Sequence, residues 1–271
     1  MRQIDVNSDL GEGFGPYRIA PDAELMPLIT SANIACGGHA GDPEVMCETI
    51  ALAMENSVRI GAHVGFPDRI GFGRRQIPMT HRELELMTVT QVGALQAVAR
   101  LRGMTLSHFN FHGALGNLSF SDAEVAKTVL RAVKALDPTL TFIGLPDTEA
   151  TRAADAIGLP VIRSFLADRG YSAPGRLAPR GSDGALISDP AAVRERVAET
   201  LATGRLRLTT GRTVAIEVDS VLVHSDTPNA LTLAHAIRAG IVDSGCSIGP
   251  FAKLSRLSPL EFGDIERGRP S

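Results

Sequence analysis

The chain has no tryptophan, only two tyrosines and only ten phenylalanines in 271 residues, so its core has to be aliphatic. It has three cysteines, Cys36, Cys47 and Cys246, which cannot all pair and show no C-x-x-C spacing. That argues against a disulfide framework and points to a reducing cytoplasm. Charge of neither sign dominates: 27 Lys and Arg face 30 Asp and Glu, a formal net charge of −3. With no basic stripe, nucleic acid and anionic lipid are not expected partners. No apolar run is long enough for a membrane span, and the opening Met1-Arg2-Gln3-Ile4-Asp5 has no apolar signal region. The G-x-x-x-x-G-K-[ST] phosphate loop is also missing.

What is present is an alternation of strand-like and helix-like stretches from end to end. Candidate strands are Ile4–Asn7, Ala32–Cys36, Val58–Ala62, Leu106–Phe111, Leu140–Leu145, Val161–Leu166, Val214–Val218 and Val221–Val223. Asp42-Pro43, Asp189-Pro190 and Thr227-Pro228 each put a capping side chain before a proline suited to the first helical turn. Thr80…Glu83 and Ser121…Glu124 fit the capping box. After Ser121, Ala126, Val129, Leu130 and Val133 form one apolar stripe, as for a helix laid on a sheet. Gly103 and Gly158 mark helix ends. Repeated strand–helix units predict a parallel sheet with helices outside it. The Gly-, Pro- and Arg-rich stretch from Ala167 to Ser188 reads as a long functional excursion.

The chemistry-bearing residues stand where the strands stop, which favours a closed β/α barrel over an open sheet with one switch point. His39, His63, His112 and His224 each end an apolar run, and Asp9 and Glu12 follow the first one. Asn7-Ser8-Asp9-Leu10-Gly11-Glu12-Gly13-Phe14-Gly15 lets the backbone approach a ligand closely, but its glycine spacing is not the dinucleotide fingerprint. Asp9, His63 and His112 could surround a divalent metal, or act as plain acid–base groups without one. Asp42 reads first as a helix cap. Arg74, Arg75, Arg169 and Arg180 lie in loops, where a guanidinium can clamp a carboxylate or phosphate. Cys36 and Cys47 are candidate nucleophiles set against plain packing. His81, His108 and His235 fall inside helix or strand patterns and receive no role.

Taken together, Asp9-Leu10-Gly11-Glu12-Gly13, Ser31-Ala32-Asn33-Ile34-Ala35-Cys36-Gly37, His39-Ala40-Gly41-Asp42, Gly61-Ala62-His63, Gly71-Phe72-Gly73-Arg74-Arg75, His112-Gly113-Ala114-Leu115, Ala167-Asp168-Arg169 and His224…Asp226 resemble the LamB/YcsF family. The resemblance runs from the first strand to about residue 250. It implies a single domain, residues 1–257, folded as a distorted β/α barrel of the glycoside hydrolase/deacetylase type, with a C-terminal tail over 258–271. It implies a hydrolase of cyclic amides that opens 5-oxoproline to glutamate with ATP, as one of three different chains in a complex. It also supports Asp9, His63 and His112 as metal candidates. Asp9, Glu12, His63 and His112 would be catalytic. His39, Asp42, Arg74, Arg75, Asn110, Asn117, Asp168, Arg169, His224 and Asp226 would bind substrate. A homo-oligomer is compatible with this.

The chain departs from the family pattern in site segments. Asn110 stands where the family usually has Lys, Gly116 and Thr90 where it has Tyr, Ser164 where it has Glu, and Gly38 where it has Phe. Two other readings follow: a divergent paralogue hydrolysing another amide or an acylated sugar without ATP, or a catalytically silent ligand-binding or scaffolding subunit.

Overall fold

Alternating strands and helices close into a barrel. The computed structural model describes residues 1–227 and 229–251. In chain order it contains β1 (Gln3–Leu10), α1 (Asp22–Leu25), β2 (Ser31–Ala35), α2 (Pro43–Glu55), β3 (Arg59–Val64), α3 (His81–Leu101), β4 (His108–Phe111), α4 (Gly113–Ser121), α5 (Ala123–Leu136), β5 (Thr141–Gly144), α6 (Glu149–Ala156), β6 (Val161–Leu166), β7 (Tyr171–Ala173), β8 (Arg176–Leu177), α7 (Pro190–Thr203), β9 (Arg205–Arg207), β10 (Thr213–Ala215), β11 (Ser220–Val223), α8 (Ala230–Asp243) and β12 (Ser247–Ile248). Strands β1 to β6 pair in sequence order, all parallel, and β11 joins β6 to β1 to close a seven-stranded ring. Closure leaves no barrel edge open, and the helices cover the outer face.

Three expectations about strands and caps change here. Val214–Val218 is not a barrel strand: β10 pairs antiparallel with β9 in a separate hairpin, and Ser220–Val223 closes the ring. Ser121 ends α4, and the cap of α5 is Asp122, whose carboxylate accepts from the Glu124 and Val125 amides. The carboxylate next to the helix wins over the serine. The Asp42, Asp189 and Thr80 caps form as expected, the last as a capping box with Glu83. The expected Thr227-Pro228 cap does not form: α8 begins at Ala230, with Asn229 at its N-cap. Thr227 itself gives its hydroxyl to Asp168, 3.2 Å away. The boundary at 257 and the tail 258–271 lie outside the described residues.

Packing separates the two faces of each strand. Outside, Ile4, Val6 and Leu10 of β1 join Ile34, Ile60, Ala62 and Phe109 in one continuous core. The stripe Ala126, Val129, Leu130 and Val133 of α5 is fully buried against the same core. Inside, one side of the barrel is polar, unlike the branched aliphatic filling usual for such folds. Asp5, Asn7 and Asp9 project there from alternate positions of β1, meeting Ser31 and Asn33 of β2, His108 of β4, Ser164 of β6 and Ser220 of β11. The ring of His108 fills the space beside Gly61, where any Cβ would collide with it. At the end where the strands begin, Phe251 stops the lumen. It packs on Ile143 and Ile162, lies 5.7 Å from the His108 ring and sits under the Arg59 guanidinium, 5.0 Å away.

Candidate functional site

At the opposite end of the ring the strand termini deliver the expected histidines to one place. The loop after β1 carries Glu12 and is anchored by Asp22, which accepts from the Gly11 amide at 2.8 Å. The loop after β2 carries His39. Beside His39, Gln91 of α3 clamps the start of the loop after β3 through both the N–H (3.1 Å) and the C=O (2.8 Å) of Gly65. His63 is the penultimate residue of β3, and His112 is the N-cap residue of α4. Gly73 lets the next loop fold over them. Its φ is +62°, and a Cβ there would fall 2.6 Å from His39 Cβ and 2.8 Å from His112 Cδ2.

Glu12, His39, His63 and His112 form a buried cluster with one ligand-type atom from each within 4.8 Å of the others. Glu12 Oε1 lies 3.0 Å from His39 Nε2, 3.3 Å from His112 Nδ1 and 3.7 Å from His63 Nε2. His39 and His112 are stacked, their planes 3° apart and centroids separated by 3.7 Å. Asp9 stands at the edge of the cluster, its Oδ2 3.5 Å from His63 Nε2. Burial, reinforced by the Asp9 and Asp226 carboxylates, pushes Glu12 well above the usual carboxylate range. Burial, followed by the neighbouring imidazoles, holds His39 and His112 well below theirs. Burial that disfavours charge on Glu12, His39 and His112 gives the cluster the character of a site for a shared cation. His39 Nδ1 is buried with no hydrogen-bond partner among the described residues. Three imidazoles and one carboxylate are a fitting donor set for a divalent transition metal.

Glu12, His63 and His112 line the floor of a cleft of about 740 Å³, while His39 lies buried behind them and does not line it. On the other wall His224 Nδ1 lies 2.9 and 2.8 Å from the two oxygens of Asp168. Burial alone would lower the His224 pKa, but the Asp168 charge and hydrogen bond hold it above the ordinary value. Asp168 stays below its own usual value despite burial, because of that same partner. Arg169 is buried and immobilised: Nε donates to the Ala185 carbonyl (3.1 Å) and Nη2 to that of Ala178 (2.9 Å). It lines the cleft together with Arg180.

The other expected site residues divide. Asn110, Asn117, Arg74 and Asp226 line the cleft, with Arg74 ion-paired to Asp226. Asp42 is not part of that lining: it caps α2 and accepts from the Gly15 amide at 2.6 Å. Arg75 is 64% exposed and bound to Asp68, away from the cleft. Burial drives the Cys36 thiol up to about 12, so it is no nucleophile. Cys47 faces Arg102 on the outer helices, its Sγ 3.1 and 3.2 Å from that guanidinium. Sequence reasoning missed Asn33 and His108. Asn33 Nδ2 reaches Asp9 Oδ1 at 2.9 Å, and His108 Nε2 reaches Asn33 Oδ1 at 2.9 Å. The available signal was polar residues at every second place of a buried strand, Asp5, Asn7 and Asp9.

The LamB/YcsF family model matches residues 4–256. A protein of Agrobacterium fabrum named as a 5-oxoprolinase subunit is 47% identical over 251 residues, spanning 93% of this chain and 98% of that protein. A 5-oxoprolinase subunit of Pectobacterium atrosepticum is 45% identical over 252 residues, with the same coverage. The crystal structure of a lactam utilization protein from Thermus thermophilus superposes with a TM-score of 0.87 at 36% identity, covering 92% of this chain and 100% of that one. A GH113 β-1,4-mannanase matches at TM-score 0.50 and 13% identity, covering 90% and 98%, a likeness of fold alone. No helix among the described residues is long and apolar enough to cross a membrane. The chain belongs to the LamB/YcsF family.

Proposed function

We propose that this chain is a cytoplasmic hydrolase of cyclic amides that opens 5-oxoproline to glutamate, working with ATP and two partner subunits. The observation that carries the reading is one cleft with a buried Glu–His₃ cluster at its base and an imidazole held by Asp168 on its wall. Relatives spanning nearly the whole chain are named for 5-oxoprolinase. A divalent cation held by Glu12, His39, His63 and His112 would supply positive charge against the oxyanion that develops on the lactam carbonyl.

The chain's own residues supply the rest. Asp9, fixed by Asn33, takes a proton from water as its oxygen adds to the carbonyl carbon. His224, kept protonated by Asp168, gives a proton to the ring nitrogen as the carbon–nitrogen bond breaks. Arg169, with Arg180, holds the substrate carboxylate. Hydrolysis of an unstrained five-membered lactam is uphill, which is why ATP and partner subunits belong to the reading.

A cyclic amide larger than 5-oxoproline is the second reading, favoured by a cleft of about 740 Å³. The test is glutamate release from 5-oxoproline by the chain with its two partner subunits, with and without ATP. ATP-dependent release supports the proposal. No turnover with any divalent cation contradicts it, and turnover of a larger lactam alone selects the second reading.

A further inference from the structure

Asn110 lies directly across from His63, paired with it in the register of β3 and β4. Its amide can be oriented by simple accounting. The Asp9 carboxylate accepts hydrogen bonds, and Asn110 Nδ2 faces Asp9 Oδ1 at 3.5 Å. The amide oxygen therefore faces His63, with Asn110 Oδ1 and His63 Nδ1 only 2.6 Å apart. An amide oxygen cannot donate, so the proton on this bond belongs to His63 Nδ1.

The far side of the His63 ring is then a bare lone pair. Nε2 lies 2.9 Å from His112 Nδ1 and 3.5 Å from Asp9 Oδ2. His112 is fixed in the complementary way. Its Nε2 lies 2.8 Å from the Phe72 carbonyl, which only accepts, so His112 Nδ1 is also a lone pair. Two lone pairs and the Glu12 carboxylate thus converge on one point. Such an arrangement repels itself unless a positive charge sits between the atoms.

We propose that Asn110 is a positioning residue that fixes His63 in its Nδ1–H tautomer and thereby makes Nε2 a ligand atom for a divalent cation. This rests on the cation reading given under the proposed function. A side chain with donors only at position 110 would place the lone pair on Nδ1 and turn an N–H toward the cluster. The electronic role is separate from packing, because a residue of equal volume without an acceptor loses it.

The experiment uses the full chain stripped of metal and two readouts. Nitrogen-15 spectra of the imidazoles report the His63 tautomer, and calorimetric titration with Zn²⁺ reports binding. The wild type is expected to show Nδ1–H and to bind one ion. Asn110→Asp keeps the acceptor and should bind at least as tightly. Asn110→Leu and Asn110→Lys should bind on the order of 10- to 100-fold more weakly. His63 should switch to Nε2–H in the Lys variant without any metal present. Thermal melts identify any variant that fails to fold, and the Leu and Asp pair carries the test if the Lys variant does. Unchanged Zn²⁺ affinity in folded Leu and Lys variants, or an Nε2–H tautomer in the wild type, overturns the proposal. A wild type that shows Nδ1–H yet binds no divalent ion fails the cation reading while the tautomer assignment survives.

Discussion

Both carboxylate oxygens of Asp168 lie within 2.9 Å of a single nitrogen of His224, Nδ1, leaving Nε2 as the imidazole's other functional edge. The two residues come from loops after β6 and β11, neighbouring strands that the ring closure places side by side. Thr227 adds a hydroxyl to the same carboxylate. The imidazole's orientation is thereby set before substrate arrives, as the proposed role of proton donor requires.

The pH dependence of turnover should follow this pair. With protonated His224 as the proposed donor, activity should fall as pH rises through the raised His224 pKa. Asp168→Asn removes the charge that supports the imidazolium, and the basic limb should move to lower pH. His224→Gln should cost on the order of 10²- to 10⁴-fold in kcat. Rate–pH profiles check both; an unmoved basic limb in Asp168→Asn refutes the donor role.

Arg169 is held by two backbone carbonyls, and a lysine ammonium cannot make both bonds while still reaching the cleft. Arg169→Lys should raise KM roughly 10- to 100-fold, the equivalent of one lost charge-assisted hydrogen bond. The kcat should change much less. Steady-state kinetics decide; an unchanged KM places the substrate carboxylate elsewhere.

Phe251 stops the lumen at the end remote from the cleft, 6% exposed and packed on Ile143 and Ile162. Phe251→Ala should cost about 3–5 kcal/mol of stability by leaving a cavity under the polar column. At temperatures where the variant is folded, turnover should persist. Urea denaturation with parallel kinetics tests this, and an unshifted midpoint contradicts the plug.

Asp22 couples the β1 loop to pH. Burial pushes its carboxyl up to about 6, and its Oδ1 has no partner among the described residues. A folded value above the unfolded one means that the fold binds this proton more tightly. Stability from this group is full below about 4 and is lost as pH rises through about 6. Asp22→Asn keeps an acceptor for the Gly11 amide and cannot ionise. It should therefore add roughly 1–3 kcal/mol at pH 7.5 and almost nothing at pH 4. Equal effects at both pH values would contradict the assignment.

The barrel and its four strand-end histidines were legible because each signal is local: an apolar run, a stop, a cap. What was not legible depends on pairing between distant segments. Val214 and Val221 both head short apolar runs, and only register decides that Ser220–Val223 closes the ring. His108 looked like strand filling because its partner, Asn33, lies two strands away across Gly61. Glu12 and His39 were legible as site residues, but not as partners. Their approach to 3.0 Å is a product of barrel curvature, which no spacing encodes. Arg75 and Arg74 are neighbours in sequence, yet one serves Asp68 and the other faces the cleft.

The central claim is that Glu12, His39, His63 and His112 hold one divalent cation. Calorimetric titration of metal-stripped chain with Zn²⁺ and Mn²⁺, repeated on Glu12→Gln and His112→Ala, tests it most directly. The account requires one ion per wild-type chain and a large loss of affinity in both folded variants. A wild type that binds neither ion, or variants that bind as the wild type does, would contradict it.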